Sequence, residues 1–156
     1  MGERARLHLK VRHHEVDAYG HVNHAHYVHY LETARVEVLE SLGLGLPEMR
    51  QRGYLIVAAE LTIKYHAPAY AAETLEVTTH IREIRGARSL WIQEIREIAS
   101  GRLVVTAEVT GAFTAETGRP IRIPAAFVDM LSAIVVPDDA PKPRAPASRS
   151  TRPGSA

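Results

Sequence analysis

The sequence predicts a single α+β domain in which one antiparallel sheet packs on one long helix. Residues 24–42 hold the chain's only long apolar run at helical spacing. Four alternating segments then follow one another between residues 54 and 116, and the turns joining the last three are too short for parallel crossovers. A helix followed by a meander buries its apolar surface most economically when one sheet face covers the helix.

The chain opens with strand-like alternation. From Leu7 to Val16, the apolar Leu7, Leu9 and Val11 alternate with His8, Lys10 and Arg12. A polar turn follows, with Asp17 in it and Gly20 placed to let the backbone bend. Asn23 is a good N-cap residue directly before the helix.

On that helix Tyr27, Val28, Leu31, Ala34, Val38, Leu39 and Leu42 share one broad arc, and Ala25, Tyr30 and Val36 widen it beyond half the circumference. A helix this apolar should be largely wrapped. Glu32 and Arg35 fall inside the arc at i, i+3 spacing, so they are expected to pair with each other or with strand ends, because an unpaired buried charge is costly. Gly43, Gly45 and Pro47 end the helix.

In residues 54–69 the inward set is expected to be Leu55, Val57, Ala59, Leu61, Ile63 and Tyr65. In residues 73–86 it is Leu75, Val77, Thr79 and Ile81. Residues 89–100 read as a less regular strand, and in residues 103–116 Val105, Ala107, Val109, Gly111 and Phe113 point inward. Small interior residues such as Ala59, Ala107 and Gly111 would let a curved sheet close on the helix. Residues 117–131 read as a turn followed by a short strand or helix. Five of the nine prolines lie after Val136, so residues 1–136 form the domain and 137–156 a disordered Pro/Arg-rich tail.

Composition restricts the chemistry. With 46% hydrophobic and 24% charged residues and a net charge of +1, nothing marks a nucleic-acid partner. The absence of cysteine excludes a thiol nucleophile, disulfides and thiolate metal sites, and fits a cytoplasmic setting. No apolar run reaches the ~20 residues of a membrane span. Six of the nine histidines lie between His13 and His29, but the spacing matches no metal motif, so neither a metal nor another cofactor is expected. No serine occupies a nucleophile elbow, and no glycine-rich loop opens the helix.

The remaining site is Asp17 beside the helix start. Asp17 can merely cap its turn. Alternatively it can work on a substrate whose developing negative charge is received by the free N–H groups of the first helical turn.

The run Asp17-Ala-Tyr-Gly-His-Val-Asn-His24-Ala-His-Tyr27, followed by Leu31-Glu-Thr-Ala-Arg35, resembles the signature of the 4-hydroxybenzoyl-CoA thioesterase family, especially its Tol-Pal-associated acyl-CoA thioesterase branch. Residues 117–124 resemble that family's terminal strand. The resemblance implies a hotdog fold, one antiparallel sheet of five or six strands wrapped around a long central helix. It further implies a homodimer or homotetramer with active sites at the subunit boundary, and hydrolysis of acyl-CoA thioesters; the sequence leaves an acyl-carrier-protein donor open beside CoA.

By position Asp17 matches the catalytic carboxylate and His24 an active-site histidine, with the backbone N–H near His24 polarising the thioester carbonyl. His13 stands where the branch has a tyrosine. Gly20, His21, Asn23 and Tyr27 complete the expected substrate-binding set around the turn. Arg85, Arg88 and Ser89 fall where relatives contact the CoA phosphates. A hotdog hydratase or dehydratase and a non-catalytic acyl-CoA-binding module are the alternatives.

Overall fold

The computed structural model describes residues 2–138. Strands β1 (Ala5–Lys10), β2 (Tyr54–Tyr65), β3 (Thr74–Arg85), β4 (Arg88–Glu97) and β5 (Leu103–Ala115) form one sheet in the order β1-β3-β4-β5-β2, with every neighbouring pair antiparallel. Helix α1 (His24–Ser41), roughly 27 Å long, packs on one face. Helix α2 (Leu46–Gln51) leads into β2, and α3 (Ala125–Leu131) closes the far end of the core. The expected tail lies outside the described residues, apart from its first two positions.

Every residue that the alternation places inward on β3 and β5 is buried, and His80, Val104 and Thr114 are buried in addition. In the core, Tyr27, Leu31 and Ala34 of α1 meet Leu75, Val77, Ile95 and Val105, while Leu39, Trp91, Phe113 and Phe127 fill the other end. Gly111 is needed there: a Cβ on it would stand 2.8 Å from Ser89 Oγ and 3.2 Å from Trp91 Nε1.

Several expectations change. β1 stops at Lys10 instead of running to Val16, because residues 13–15 curl into a 3-10 turn in which Glu15 caps the Arg12 N–H at 2.8 Å. β4 alternates strictly in burial, with Ser89, Trp91, Gln93, Ile95 and Glu97 buried. Three of those five are polar, which hides the alternation in sequence.

In β2 a bulge at Ala59 lies between the Ala58–Gly111 and Glu60–Thr110 pairs. An extra residue shifts the period by one. Tyr54 and Ile56 therefore face the core before the bulge, and Leu61, Ile63 and Tyr65 share the face of Val109, Ala107 and Val105 after it. Leu55, Val57 and Ala59 are not inward residues.

α1 is buried along one side only, at Tyr27, Tyr30, Leu31, Ala34, Val38 and Leu39. Ala25 is exposed, and Val28 and Val36 are half-buried. Arg35 pairs neither with Glu32 nor with a strand end. It donates to Gln93 Oε1 at 2.7 Å in the middle of β4, because Gln93 offers a fixed acceptor under the helix. Gln93 is held in turn by its own bonds to Leu31 O at 2.9 Å and Thr79 Oγ1 at 3.0 Å. Beyond β5 the expected terminal strand is reduced to one bridge, Thr114–Pro120, before α3.

Candidate active site at the start of the long helix

Residues 15–23 form a pinned loop. Val16 bridges to Val22, the Asp17 N–H bonds His21 O at 2.8 Å, and the Asn23 N–H bonds Glu15 O at 2.9 Å. Gly20 turns the tip with φ +82°, a region that disfavours other residues, and its N–H bonds Asp17 O at 3.0 Å. The loop is also fastened to residues 69–70 through the Val22 N–H on Ala69 O at 2.9 Å and the His21–Tyr70 bridge. Asp17 is thus held at a fixed place instead of swinging on a loose turn.

One carboxylate oxygen, Asp17 Oδ1, accepts the Tyr19 N–H at 2.8 Å. The turn-capping role read from sequence is therefore present. Oδ2 makes no protein hydrogen bond among the described residues, so capping leaves one oxygen for other chemistry.

The helix start is set by Asn23, whose Oδ1 accepts the Ala25 N–H at 3.0 Å and whose carbonyl accepts the His26 N–H at 2.9 Å. The His24 N–H, at the first helical position, has no partner among the described residues. Such a donor at the positive end of the helix dipole favours an oxygen carrying negative charge. Tyr65 donates its hydroxyl to His24 O at 3.1 Å, tying the end of β2 to this turn. Tyr27 lies beneath, its hydroxyl accepting the Ala69 N–H at 3.0 Å, and burial raises its pKa.

Asp17, His21, His24, Tyr27, Tyr65 and Pro68 line one open cleft of about 350 Å³. The fold therefore brings together four of the residues singled out in the sequence. Asn23 adjoins them as the cap, and Gly20 sits at the exposed loop tip. His13 is exposed on the 3-10 turn, its ring edge-on to His14, and does not line the cleft.

Arg85, Arg88 and Ser89 lie elsewhere. Tyr65 is in register with Val105 and that residue with Ile95, so Ser89 is six residues, roughly 20 Å, along β4 from the cleft. Ser89 also departs from its expected role within this chain. It is 2% exposed, and its Oγ accepts the Trp91 Nε1–H at 2.9 Å, so it faces the core. Tyr65 and His66, both at the cleft, were not among the expected site residues, because only strand pairing carries residue 65 back to the helix start. No group of three metal-ligating side chains occurs among the described residues.

A second, mostly apolar hollow runs between α1, α2 and the edge strand β2, past Arg35, Val36, Leu39, Ile56 and Trp91. It continues into a cavity of about 800 Å³ beside Leu46, Met49 and Tyr54. Along the unpaired edge Val57, Leu61 and Tyr65 are 45%, 41% and 49% exposed.

Residues 11–131 match the family described as the thioesterase-like superfamily. The chain is 29% identical over 140 residues to the acyl-acyl carrier protein thioesterase ATL3 of Arabidopsis thaliana, covering 90% of this chain and 74% of that protein. It is 30% identical over 102 residues to the long-chain acyl-CoA thioesterase FadM of Escherichia coli, covering 65% and 76%. Among solved structures, the hypothetical protein TT1821 of Thermus thermophilus superposes with a TM-score of 0.76 at 31% identity over 83% of this chain and 98% of that one.

Proposed function

Because this chain belongs to the thioesterase-like superfamily, has its hotdog fold and is a thioester hydrolase, we propose that it cleaves acyl thioesters in the cleft at the start of α1, with Asp17 as the catalytic carboxylate. The observation that carries this is that one cleft is lined by both Asp17, whose Oδ2 has no partner among the described residues, and His24, whose N–H has none among them either. As the carbonyl carbon is attacked, its oxygen gains negative charge, and a helix-start donor stabilises it.

Asp17 acts in one of two ways. It attacks the carbonyl carbon, the C–S bond breaks, thiolate departs, and water hydrolyses the mixed anhydride. Otherwise it takes a proton from a water molecule that attacks the same carbon. Thiolate is a good leaving group, so neither route needs a strong acid. His24 orients the substrate or the water. Placement in the Tol-Pal-associated branch rests on the Asp17–Tyr27 motif, and the acyl group is carried by CoA or an acyl-carrier protein.

The working unit is a dimer joined through β2. That edge offers unpaired backbone and exposed Val57, Leu61 and Tyr65. A two-fold axis makes two β2 edges antiparallel, which sets the Tyr54 end of one copy beside the Tyr65 end of the other. It also brings two copies of the half-covered α1 together.

Free-thiol release from a panel of acyl-CoA and acyl-carrier-protein thioesters tests the proposal. Asp17→Asn keeps the Oδ1 acceptor for the Tyr19 N–H, so the loop stays folded, and turnover falls by about 10²–10⁴-fold. Unchanged turnover in this variant removes Asp17 from the mechanism. Tight acyl-CoA binding with no turnover in the natural chain would make it a binding module.

A further inference from the structure

The loop that carries Asp17 hangs on one short segment, residues 69–73, between β2 and β3. The Val22 N–H bonds Ala69 O at 2.9 Å, and His21 bridges to Tyr70. The His21 and Tyr70 rings also meet edge to face, 5.3 Å between centroids. Because the Asp17 N–H bonds His21 O at 2.8 Å, the place of the carboxylate follows from where Tyr70 stands.

Tyr70 is fixed by charge. Its N–H bonds Glu73 Oε1 at 2.6 Å, and Nη2 of Arg102 holds both oxygens of the same carboxylate at 2.7 Å. The Arg102 guanidinium also lies over the Tyr70 ring, 5.6 Å from its centroid. One ion pair, joining the residue before β3 to the residue before β5, therefore grips Tyr70 by its backbone and by its ring. The two side chains are 20% and 32% exposed, and a pair this near the surface adds little to stability by itself. What it fixes is position.

The segment is strained as well. Ala72 has φ +67°, the one non-glycine residue with a positive φ among the described residues. It is exposed, so its methyl group gains nothing by packing. Backbone bonds hold it from both sides: the Ala72 N–H on Val11 O at 3.1 Å, the Val11 N–H on Glu73 O at 2.9 Å and the Glu73 N–H on Tyr70 O at 3.2 Å. Backbone kept in so sparsely populated a region is characteristic of segments whose exact placement serves a site.

We propose that Glu73 and Arg102 are positioning residues for thioester hydrolysis, clamping Tyr70 so that His21 sets the Asp17 carboxylate against the substrate carbonyl. The inference rests on the role of Asp17 proposed above. Neither residue lines the cleft, so they act through the loop. A group that must meet a carbonyl carbon tolerates little displacement, since a shift of about 1 Å can cost about 10²-fold in rate.

The test is steady-state kinetics on the thioester that the natural chain hydrolyses fastest, at a temperature where circular dichroism shows each variant folded. Glu73→Ala removes the acceptor of the Tyr70 N–H and the partner of Arg102 together. Its kcat falls about tenfold, with KM within about twofold of the natural value. Arg102→Met leaves the acceptor in place and lowers kcat severalfold. In an Asp17→Asn background both effects shrink to less than about twofold, because the loop then has no carboxylate to place. Should Glu73→Ala not fold, Tyr70→Leu carries the same test: Tyr70 is 44% exposed, its backbone bonds remain, and kcat falls severalfold. Natural kcat in either charge variant, or losses that persist undiminished in the Asp17→Asn background, would overturn the inference. No hydrolysis by the natural chain, or natural turnover in Asp17→Asn alone, would instead bring down the reading of Asp17 on which the clamp depends.

Discussion

The hydroxyl of Tyr65, the last residue of β2, donates to the backbone carbonyl of His24, the first residue of α1, at 3.1 Å. The bond spans 41 positions of sequence and fixes the edge strand against the helix start that carries the unbonded N–H. The same tyrosine ring packs on Tyr27 at 5.7 Å between centroids. Strand edge, cleft wall and helix start are therefore one mechanical unit.

Tyr65→Phe keeps the ring contact and removes only the hydrogen bond. The expected cost is about 0.5–1.5 kcal/mol in denaturant unfolding, with kcat lowered severalfold as the first helical turn loosens. A variant with natural kcat would show that the turn is held without this bond.

Gln93, 1% exposed, is the polar centre of the core, bonded to Arg35, Leu31 O and Thr79. Gln93→Leu leaves the half-buried Arg35 guanidinium and the Thr79 hydroxyl without that partner. The expected loss is about 2–4 kcal/mol, seen as a Tm lower by roughly 5–15 °C. Burial lowers the pKa of Arg35, yet the group stays charged at neutral pH, so the penalty persists there. Equal melting curves would refute the network's role.

Glu97 ends β4 by accepting the Ser100 hydroxyl and N–H and the Ala99 N–H. These bonds, the hydroxyl first, hold its pKa below the ordinary 4.5. For a carboxyl depressed in the folded state, the stabilisation is fully present above 4.5 and drains away as pH falls through the lowered folded value. Glu97→Gln should therefore flatten the acid limb of a stability-versus-pH curve while matching its shape above pH 6. Parallel acid limbs in the two proteins would exclude this turn as a source of acid sensitivity.

Leu61→Asp places a charge on the exposed edge of β2. Sedimentation should show a dimer for the natural chain and a monomer for the variant, with thioester hydrolysis lost alongside, because the cleft lies at the strand's Tyr65 end. A natural chain that sediments as a monomer and still turns over would end the proposal that the edge is an interface.

Much of the fold was legible in order. The N-cap at Asn23, the helix to Ser41 and the meander from β3 to β5 follow from capping chemistry and periodicity, which are local properties. The misread parts are those where a non-local contact outweighs the local pattern. The bulge at Ala59 is an extra residue that only pairing with β5 reveals. β4 looked irregular because three of its buried residues are polar: Ser89 is held by Trp91 of the same strand, Gln93 by α1 and β3, and Glu97 by the turn that follows.

The sequence by itself determined that an acid, a left-handed glycine and a helix cap stand at fixed spacing from Asp17 to Asn23, because turn and cap preferences act within a few residues. Only the tertiary structure decided that Tyr65 and His66 wall the cleft while Ser89 turns into the core. It also decided that Arg35 finds Gln93. Those placements depend on strand register, which closes long loops and is set by the whole sheet at once.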